Sequence, residues 1–319
     1  MRILVTGGAG FIGSHFCERL IQKHHQVFCL DNFNDYYDPA IKRQNISSLL
    51  DQSDFHLIEG DILDQALLKT LAEQYSFDLI VHLAARAGVR PSIQQPLLYQ
   101  RVNVEGTTNL LEFCVQNQIQ KIVIASSSSV YGGNEKVPFS EADSVDHPIS
   151  PYAATKRACE LISFTYHALH KLSVTNLRFF TVYGPRQRPD MAIHKFTSLI
   201  MDEKPIPFFG DGSSRRDYTY ITDIIQGLEK SVERCEGYNI YNLGESKTIA
   251  LQDLIILIEK ALNKKAILHK MPNQPGDVPV TYADISKAQK ELDYLPVVPV
   301  EEGVPQFVKW YMNQIGKMK

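Results

Sequence analysis

The chain has 319 residues, of which 44% are hydrophobic, so it can form one large core or a main domain with a smaller lobe. Its formal net charge of −3 provides no electrostatic footprint for nucleic acid or for an anionic membrane surface. The five scattered cysteines have neither metal-ligand nor redox spacing, and every apolar run is shorter than the roughly 18 residues of a membrane-spanning helix. The chain begins directly with strand residues rather than with a secretion signal, so we expect a cytoplasmic protein without a bound metal.

Strand-length apolar runs alternate with helix-length amphipathic stretches through about residue 180. Predicted strands span 3–5, 27–30, 79–82, 122–125 and 174–179, and predicted helices span 13–23, 64–74, 104–116 and 152–169. Such alternation predicts βαβ units and a parallel sheet. The uniformly apolar strands indicate that helices cover both faces of this sheet.

The pattern changes after residue 183, where Gly184 and Pro185 begin a stretch rich in turns and charges. Two further helices are expected, at 251–261 and 304–312. We therefore predict a main domain over 1–183 and a smaller C-terminal substrate-binding lobe over 184–319, partly interleaved with the first.

A glycine motif follows the first strand and opens the first helix. Gly7, Gly10 and Gly13 form Gly-x-x-Gly-x-x-Gly, which allows a tight turn, a close approach of phosphate and close packing of helix on strand. The helix N-terminus, at Phe11 and Ile12, then presents free N–H groups to a pyrophosphate. These features predict a Rossmann-type α/β fold, a doubly wound parallel sheet with a dinucleotide site; a tight turn without a ligand is the alternative.

Several further residues fit this cofactor. Asp31 ends the second strand, where a carboxylate accepts hydrogen bonds from a ribose diol and repels a 2′-phosphate, so NAD is favoured over NADP. The carboxylate of Asp61 can meet the adenine amine, and the small residues that follow the predicted strand 79–82 leave room for the cofactor. The remaining predicted cofactor-binding residues are Asn32, Lys42, Asp61, Ile62, Leu83, Ala84 and Ala85.

The catalytic candidates are Tyr152 and Lys156, which share one face at the start of a helix. A nearby ammonium stabilises a phenolate, so the tyrosine can act as a general base near neutral pH. Four serines, 126–129, end an apolar strand at the sheet edge where such folds bind ligands. Taken alone, the pair also fits a solvated helix face and the serines a loop that caps a turn.

The order of these motifs resembles the extended short-chain dehydrogenase/reductase superfamily, and within it the nucleotide-sugar 4-epimerases. The resemblance implies that Ser127, flanked by Ser126 and Ser128, binds the sugar 4-hydroxyl and that Tyr152 removes its proton. It also implies that Lys156 binds the nicotinamide ribose while Asn103 braces the site. The implied reaction is transient oxidation at C4 by a tightly bound NAD, followed by return of hydride to the other face of the sugar.

Segments 31–38, 178–192 and 274–284 resemble the UDP-glucuronate 4-epimerases specifically, which implies conversion of UDP-glucuronate to UDP-galacturonate. Arg188 suits the planar uronate carboxylate, and Thr181 can donate a second hydrogen bond. By resemblance Arg216 contacts phosphate and Asp277 contacts ribose, with Arg90 on the substrate side. Many relatives carry arginine where this chain has Gln274. Arg188 also fits a surface arginine or one that pairs with phosphate, and Arg90 also fits a structural salt bridge.

Other functions stay open at this point. The rivals are a 4-epimerase for UDP-glucose or UDP-N-acetylglucosamine, and a UDP-glucuronate decarboxylase. A 4,6-dehydratase is disfavoured because Ser128 and Ser129 stand where that class has an acidic pair. A non-catalytic NAD sensor is disfavoured because both Tyr152 and Lys156 are present. Relatives pair helices into a four-helix bundle, so we expect a homodimer through 104–116 and 152–169, although apolar helix stripes more often face their own core.

Overall fold

A computed structural model describes residues 1–272 and 278–318 of the chain. Within this part, thirteen strands and twelve α-helices are numbered in chain order. The strands are β1 (Arg2–Thr6), β2 (Gln26–Asp31), β3 (Phe55–Glu59), β4 (Leu79–His82), β5 (Lys121–Ser127), β6 (Ser173–Phe179), β7 (Thr181–Tyr183), β8 (Pro205–Phe209), β9 (Arg215–Arg216), β10 (Tyr218–Tyr220), β11 (Tyr238–Leu243), β12 (Ile249–Ala250) and β13 (Ile267–Met271). The helices are α1 (Phe11–Gln22), α2 (Pro39–Ile46), α3 (Gln65–Gln74), α4 (Val89–Gln94), α5 (Pro96–Tyr99), α6 (Gly106–Gln116), α7 (Pro151–His170), α8 (Ala192–Met201), α9 (Ile221–Glu233), α10 (Leu251–Leu262), α11 (Ser286–Leu292) and α12 (Val300–Met318).

Seven strands form one parallel sheet in the order β3-β2-β1-β4-β5-β6-β11. The chain winds outward from β1 in one direction and then from β4 in the other, so the predicted Rossmann-type fold is confirmed. Every strand and helix predicted in the first half is present, with ends shifted by a few residues. The reversal between β1 and β4 opens a crevice at the carboxyl edge of the sheet, where ligands bind in such folds.

Successive strand residues point to opposite faces of the sheet, and each face has its own core. On β1, Ile3 and Val5 join the core under α1, whereas Leu4 joins the core under α6. Phe16 of α1 and Leu110 of α6 are fully buried in these two cores. Apolar side chains at every strand position, rather than alternate ones, therefore reflect burial on both faces.

The last strand of the sheet, β11, comes from the C-terminal half of the chain. It pairs in parallel with β6, Tyr238 opposite Val174 and Leu243 opposite Phe179. The preceding helix α9 packs against α1. A segment beyond residue 183 thus completes the main sheet before the chain returns to the smaller lobe.

Three two-stranded pairs and several helices of the C-terminal half lie outside the seven-stranded sheet. The pairs are β7 with β10, β9 with β12, and β8 with β13, and the helices α8, α10 and α12 pack together beside them. Predicted helix 304–312 extends in both directions to Val300–Met318, and Glu301 and Glu302 in its first turn suit the helix dipole. Within residues 1–272 and 278–318, no helix combines the length and apolarity needed to cross a membrane.

Candidate active site

A cleft of about 730 Å³ lies at the carboxyl edge of the sheet, between the glycine loop and the smaller lobe. It brings together most of the residues that the sequence singled out. Those lining it are Gly7, Gly10, Phe11, Ile12, Gly13, Asp31, Asn32, Lys42, Asp61, Ile62, Leu83, Ala84, Ala85, Arg90, Ser126, Ser127, Ser128, Tyr152, Lys156, Thr181 and Arg188.

Three predicted site residues are not among the described lining residues. Asn103 is buried behind the cleft. Arg216 lies on β9, where its Nη1 donates to the carbonyl oxygens of Arg215 at 2.9 Å and Pro279 at 3.3 Å. Asp277, like Gln274, falls outside the described residues.

The glycine loop has the shape that a pyrophosphate requires. Gly7 has φ +69°, and a Cβ there would lie 2.7 Å from the backbone nitrogen of Ala84. A Cβ on Gly13 would lie 2.2 Å from the carbonyl oxygen of Gly7, so only glycine lets α1 pack this closely on the loop. Helix α1 begins at Phe11, and the free N–H groups of its first turn lie at the cleft.

The Asp31 carboxylate lies at the far end of this loop. It accepts hydrogen bonds from the backbone N–H of Ala9 at 3.1 Å and of Phe33 at 2.9 Å, and Lys42 Nζ lies 3.9 Å away. Burial raises the pKa of Asp31, while Lys42 opposes that shift. The position and fixed orientation of the carboxylate suit a ribose diol.

Asp61 and Asn32 line one part of the cleft and are joined by a hydrogen bond. Asn32 Nδ2 donates to Oδ2 of Asp61 at 2.7 Å, and the backbone N–H of Leu63 donates to Oδ1 at 2.9 Å. Both carboxylate oxygens therefore have partners that fix their direction. Asp61 and Asn32, which sit at the ends of β3 and β2, are thereby positioned as one unit.

Tyr152 and Lys156 occupy the first turns of α7. Ser150 caps this helix by accepting from the backbone N–H of Ala153 at 3.1 Å. Lys156 is buried, and its Nζ donates to the carbonyl oxygen of Ala125 at 2.6 Å, which ties α7 to the end of β5. The serine loop begins one residue later, so this contact sets the distance between the helix and Ser127.

Asn103 links the cofactor loop to the catalytic helix. Its Oδ1 accepts from the backbone N–H of Arg86 at 2.8 Å, and its Nδ2 donates to the Arg86 carbonyl and to Thr155 Oγ1, each at 3.0 Å. Thr155 is adjacent to Lys156. These contacts join the backbone at Arg86 to α7 next to Lys156.

His82, at the end of β4, is buried beneath the site. Its Nδ1 and Nε2 lie 2.7 Å and 3.0 Å from the hydroxyls of Thr6 and Thr107. Burial, followed by the charge of Lys156, lowers the pKa of His82 to about 3. The ring is therefore neutral at physiological pH and supports the floor of the cleft.

A buried polar network lies behind the serine loop. The Ser126 hydroxyl, expected near the sugar, donates to Glu160 Oε1 at 2.6 Å. Arg178 binds both oxygens of Glu160 at 2.9 Å, and its Nη1 donates to the Tyr131 hydroxyl at 3.0 Å. Ser126 is the first residue of the serine loop, 126–129, and Tyr131 lies two residues beyond its end, so the network holds both ends of the segment that carries Ser127. Ser127 Oγ itself accepts from the Ser129 N–H at 3.1 Å.

Arg188, which also lines the cleft, belongs to a second arginine–carboxylate pair. Its Nε and Nη2 donate to Asp190 Oδ1 and Oδ2 at 2.9 Å and 2.8 Å. The Tyr36 ring centroid lies 5.2 Å from the guanidinium carbon. Tyr36 in turn donates through its hydroxyl to the carbonyl oxygen of Ala87 at 2.8 Å, which also accepts from Tyr99 at 2.7 Å.

The sequence analysis did not single out Asp190, Tyr36 or Glu160. Asp190 stands two residues after Arg188, a spacing at which one carboxylate can reach the arginine within a turn. Tyr36 belongs to the segment 31–38 but has no motif of its own. Glu160 follows Lys156 by one helical turn on α7, and that phase was the available signal. Arg90 lies over the Phe209 ring, 4.5 Å from its centroid, and so bridges the two parts of the molecule.

The sequence matches the family described as GDP-mannose 4,6 dehydratase over residues 4–307. The chain belongs to this family of extended short-chain dehydrogenases/reductases. Its motif order had indicated that superfamily, and the resemblance is confirmed.

Several individual relatives have names that are more specific than the family description. A UDP-glucuronate 4-epimerase of Thermodesulfobacterium geofontis is 44% identical over 317 residues, covering 99% of this chain and 98% of that protein. UDP-glucuronate 4-epimerase 4 of Arabidopsis thaliana is 46% identical over 330 residues, covering 98% of this chain and 75% of the relative. The UDP-glucuronic acid 4-epimerase of Bacillus cereus, crystallised with UDP-glucuronic acid and NAD, has a TM-score of 0.92 at 37% identity, covering 98% of this chain and 100% of that chain.

Proposed function

We propose that the chain is an NAD-dependent nucleotide-sugar 4-epimerase that interconverts UDP-glucuronate and UDP-galacturonate. The observation that carries the proposal is one cleft that is lined by Ser127, Tyr152 and Lys156, by the glycine loop and by Arg188. The names of the relatives support the same activity.

The described residues fit NAD. The positive φ of Gly7, the close approach at Gly13 and the first turn of α1 suit the pyrophosphate. Asp31 suits the adenosine ribose diol, and Asn32, Lys42, Asp61, Ile62 and the segment 83–85 complete the site. When bound, NAD supplies an acceptor for hydride from C4 and returns it to the same carbon.

The protein side chains orient the sugar and move its proton. Ser127 binds the 4-hydroxyl, with Ser128 beside it, and Tyr152 removes the hydroxyl proton as the C–H bond breaks. Lys156, held against the Ala125 carbonyl, orients the nicotinamide ribose next to Tyr152. The 4-keto sugar then rotates in the site, so that its other face is reduced. Tyr152 returns the proton to the 4-oxygen, and no net oxidant is consumed.

The carboxylate of the sugar is read by Arg188 and Thr181. A 4-keto uronate is a β-keto acid that tends to lose CO₂, and a carboxylate paired with a guanidinium is stabilised relative to that loss. Arg90 acts on the substrate side and Arg216 on the diphosphate. Asp277, outside the described residues, is the proposed ribose contact.

The site disfavours the activity in the family description. Ser128 and Ser129 follow Ser127 on the cleft wall, in place of the acidic pair expected for a 4,6-dehydratase. A neutral sugar has no carboxylate for Arg188 to bind, which disfavours a neutral-sugar epimerase. A UDP-glucuronate decarboxylase would use the same residues as the epimerase. The product of the reaction separates these alternatives.

We further propose a homodimer through α6 and α7. Leu161 and Phe164 lie one turn apart on α7 and are 52% and 50% exposed, and Ile93 and Leu97 are exposed on the neighbouring helices α4 and α5. A second copy that covers these side chains would remove them from water.

We also propose that residues 1–183 form the NAD-binding domain and that residues 184–319 mainly form the nucleotide-sugar-binding lobe. A cytoplasmic location also stays a prediction, with five free cysteines that suit a reducing compartment.

The test is incubation of the purified protein with UDP-glucuronate without added NAD, with the products resolved by NMR. UDP-galacturonate accumulating towards an equilibrium mixture is the expected result, with NAD co-purifying. Release of CO₂ with a UDP-pentose would make the protein a decarboxylase. No conversion even with NAD supplied would contradict the uronate assignment and return UDP-glucose and UDP-N-acetylglucosamine as substrates to examine.

A further inference from the structure

The loop after β7 carries two arginine–carboxylate pairs with different surroundings. Arg186 Nη2 lies 2.6 Å from Oε1 of Glu18 on α1, and neither residue is among the described residues that line the cleft. Arg188 and Asp190 both line it. The second pair is therefore placed where a substrate can contact it, whereas the first joins the loop to α1.

Arg188 is held in two directions. The Asp190 carboxylate fixes the guanidinium in its own plane through two hydrogen bonds, and the Tyr36 ring covers one of its faces. The Arg188 side chain is 20% exposed, while that of Asp190 is 45% exposed. Arg188 is thus preorganised at the cleft wall, with its counter-charge on the solvent side.

The Asp190 carboxylate accepts hydrogen bonds from only some of the N–H groups of Arg188. A guanidinium has five N–H donors, of which Asp190 takes two, and within residues 1–272 and 278–318 no side chain or backbone carbonyl accepts from the other three. The charge is also shared, because the pair as a whole is neutral. A neutral sugar meets a guanidinium that already has a partner, whereas a uronate places a second carboxylate on the same cation.

We propose that Asp190 is a specificity-determining residue, the counter-charge that limits how strongly Arg188 prefers a sugar carboxylate to a neutral sugar. The inference rests on the proposed function, since it takes Arg188 as the carboxylate site. Asp190 acts through Arg188 and is a positioning residue rather than a catalytic one. Removing its charge strengthens the attraction between Arg188 and a uronate and leaves a neutral sugar with an unbalanced cation.

The test variant is Asp190→Asn, which keeps the size and one acceptor oxygen but removes the charge. The measured quantity is the ratio of the Kd for UDP-glucose to the Kd for UDP-glucuronate, from isothermal titration calorimetry of the NAD-loaded protein. We expect this ratio to rise about tenfold in the variant, as Coulomb's law at a partly solvated site implies. Because Asp190 is almost half exposed, an unfolding midpoint equal to that of the wild type is expected as well.

Two controls connect the effect to Arg188. Glu18→Gln removes the carboxylate of the other pair on the same loop and is expected to leave the ratio unchanged. In an Arg188→Met background, Asp190→Asn is also expected to have no effect, because the cation it balances is gone.

An unchanged ratio in Asp190→Asn, or a rise that persists without Arg188, overturns the proposal for Asp190. In either case a wild type that converts UDP-glucuronate leaves the proposed function intact. A wild type that neither binds nor converts UDP-glucuronate overturns both. The two failures are therefore distinguishable in one set of measurements.

Discussion

Two arginine–carboxylate pairs near this site have the same hydrogen-bond geometry but differ in burial. In each, Nε and Nη2 of the arginine donate to the two oxygens of one carboxylate, at 2.9 Å and 2.9 Å for Arg178–Glu160 and at 2.9 Å and 2.8 Å for Arg188–Asp190. The first pair is 1% and 0% exposed, and the second is 20% and 45% exposed. Burial therefore decides the role: the sealed pair sets the geometry of the serine loop, and the cleft pair is accessible to substrate.

The pKa of each carboxylate reflects its partner. Burial alone would raise the pKa of Glu160 and Asp190, but bonding to arginine holds both below their usual values. Asp217, which accepts from backbone N–H groups, has its pKa raised by burial to about 6. Burial and the charge of Asp223 raise the pKa of Glu245 to about 7. Of these four carboxyl groups, the two that bond to arginine have lowered pKa values and the two that do not have raised ones.

The largest expected effect is on folding, from breaking the sealed pair. Glu160→Ala leaves Arg178 charged in the interior, so we expect the free energy of unfolding to fall by about 3–5 kcal/mol in denaturant titrations. Asp190→Ala, at the exposed pair, is expected to cost less than about 1 kcal/mol. Equal losses in the two variants would contradict the distinction between the pairs.

The next effect is on substrate selection, from the cleft pair. Arg188→Met removes the charge-assisted hydrogen bonds to the uronate, so kcat/KM for UDP-glucuronate should fall roughly 10- to 100-fold. Steady-state kinetics with UDP-glucose should show a much smaller change. Arg186→Met, on the same loop but paired with Glu18, is the matched control and should keep the wild-type preference. A parallel loss on both substrates would make Arg188 a structural residue.

A smaller effect is expected where the sealed network meets the serine loop. Ser126→Ala removes one of the four hydrogen bonds to the Glu160 carboxylate, those from Ser126, Arg157 and twice from Arg178. The unfolding free energy should fall by about 1 kcal/mol. Thr165→Ala, at an exposed position of the same helix, provides the comparison. A loss no greater than that control would mean that Ser126 does not anchor the loop.

A separate effect is a pH dependence of stability. Because the folded pKa of Glu245 is raised to about 7, its contribution to stability is full below the unfolded value of about 4.3 and is lost as pH rises through 7. Glu160 has the opposite sign, since its pKa is lowered and its contribution disappears as pH falls below the unfolded value. Glu245→Gln should flatten the decline between pH 5 and pH 8 in urea titrations, and the exposed Glu236→Gln should not. An unaltered slope in Glu245→Gln would show that its carboxyl is already ionised at pH 5.

Sequence reasoning recovered the parts of this molecule that depend on local spacing. Gly7 to Gly13, Asp31, Tyr152 and Lys156 lie at fixed offsets within one βα unit or one helical turn, so their proximity follows from periodicity. Arg178 and Glu160 meet because β6 lies beside α7, and the hydroxyl of Ser126 donates to Glu160 although the residue lines the cleft. Such pairing depends on tertiary packing, which no spacing in the sequence encodes.

The smaller lobe was harder to predict for a related reason. Its two-stranded pairs are short, and β11 reads as part of the lobe although it completes the main sheet. This strand pairs with the edge of β6, although the two strands are far apart in the sequence. The helices there were predictable because α10 and α12 carry strong amphipathic stripes.

Transient oxidation at C4 of UDP-glucuronate can be tested with substrate that is deuterated at C4. We predict UDP-galacturonate that retains deuterium at C4 when the reaction runs in ordinary water, because the hydride that leaves this carbon returns to it. NMR of the product measures that retention. Replacement of the deuterium by solvent hydrogen would show that C4 exchanges a proton instead, and would contradict the roles given to the cofactor cleft, Tyr152 and Lys156.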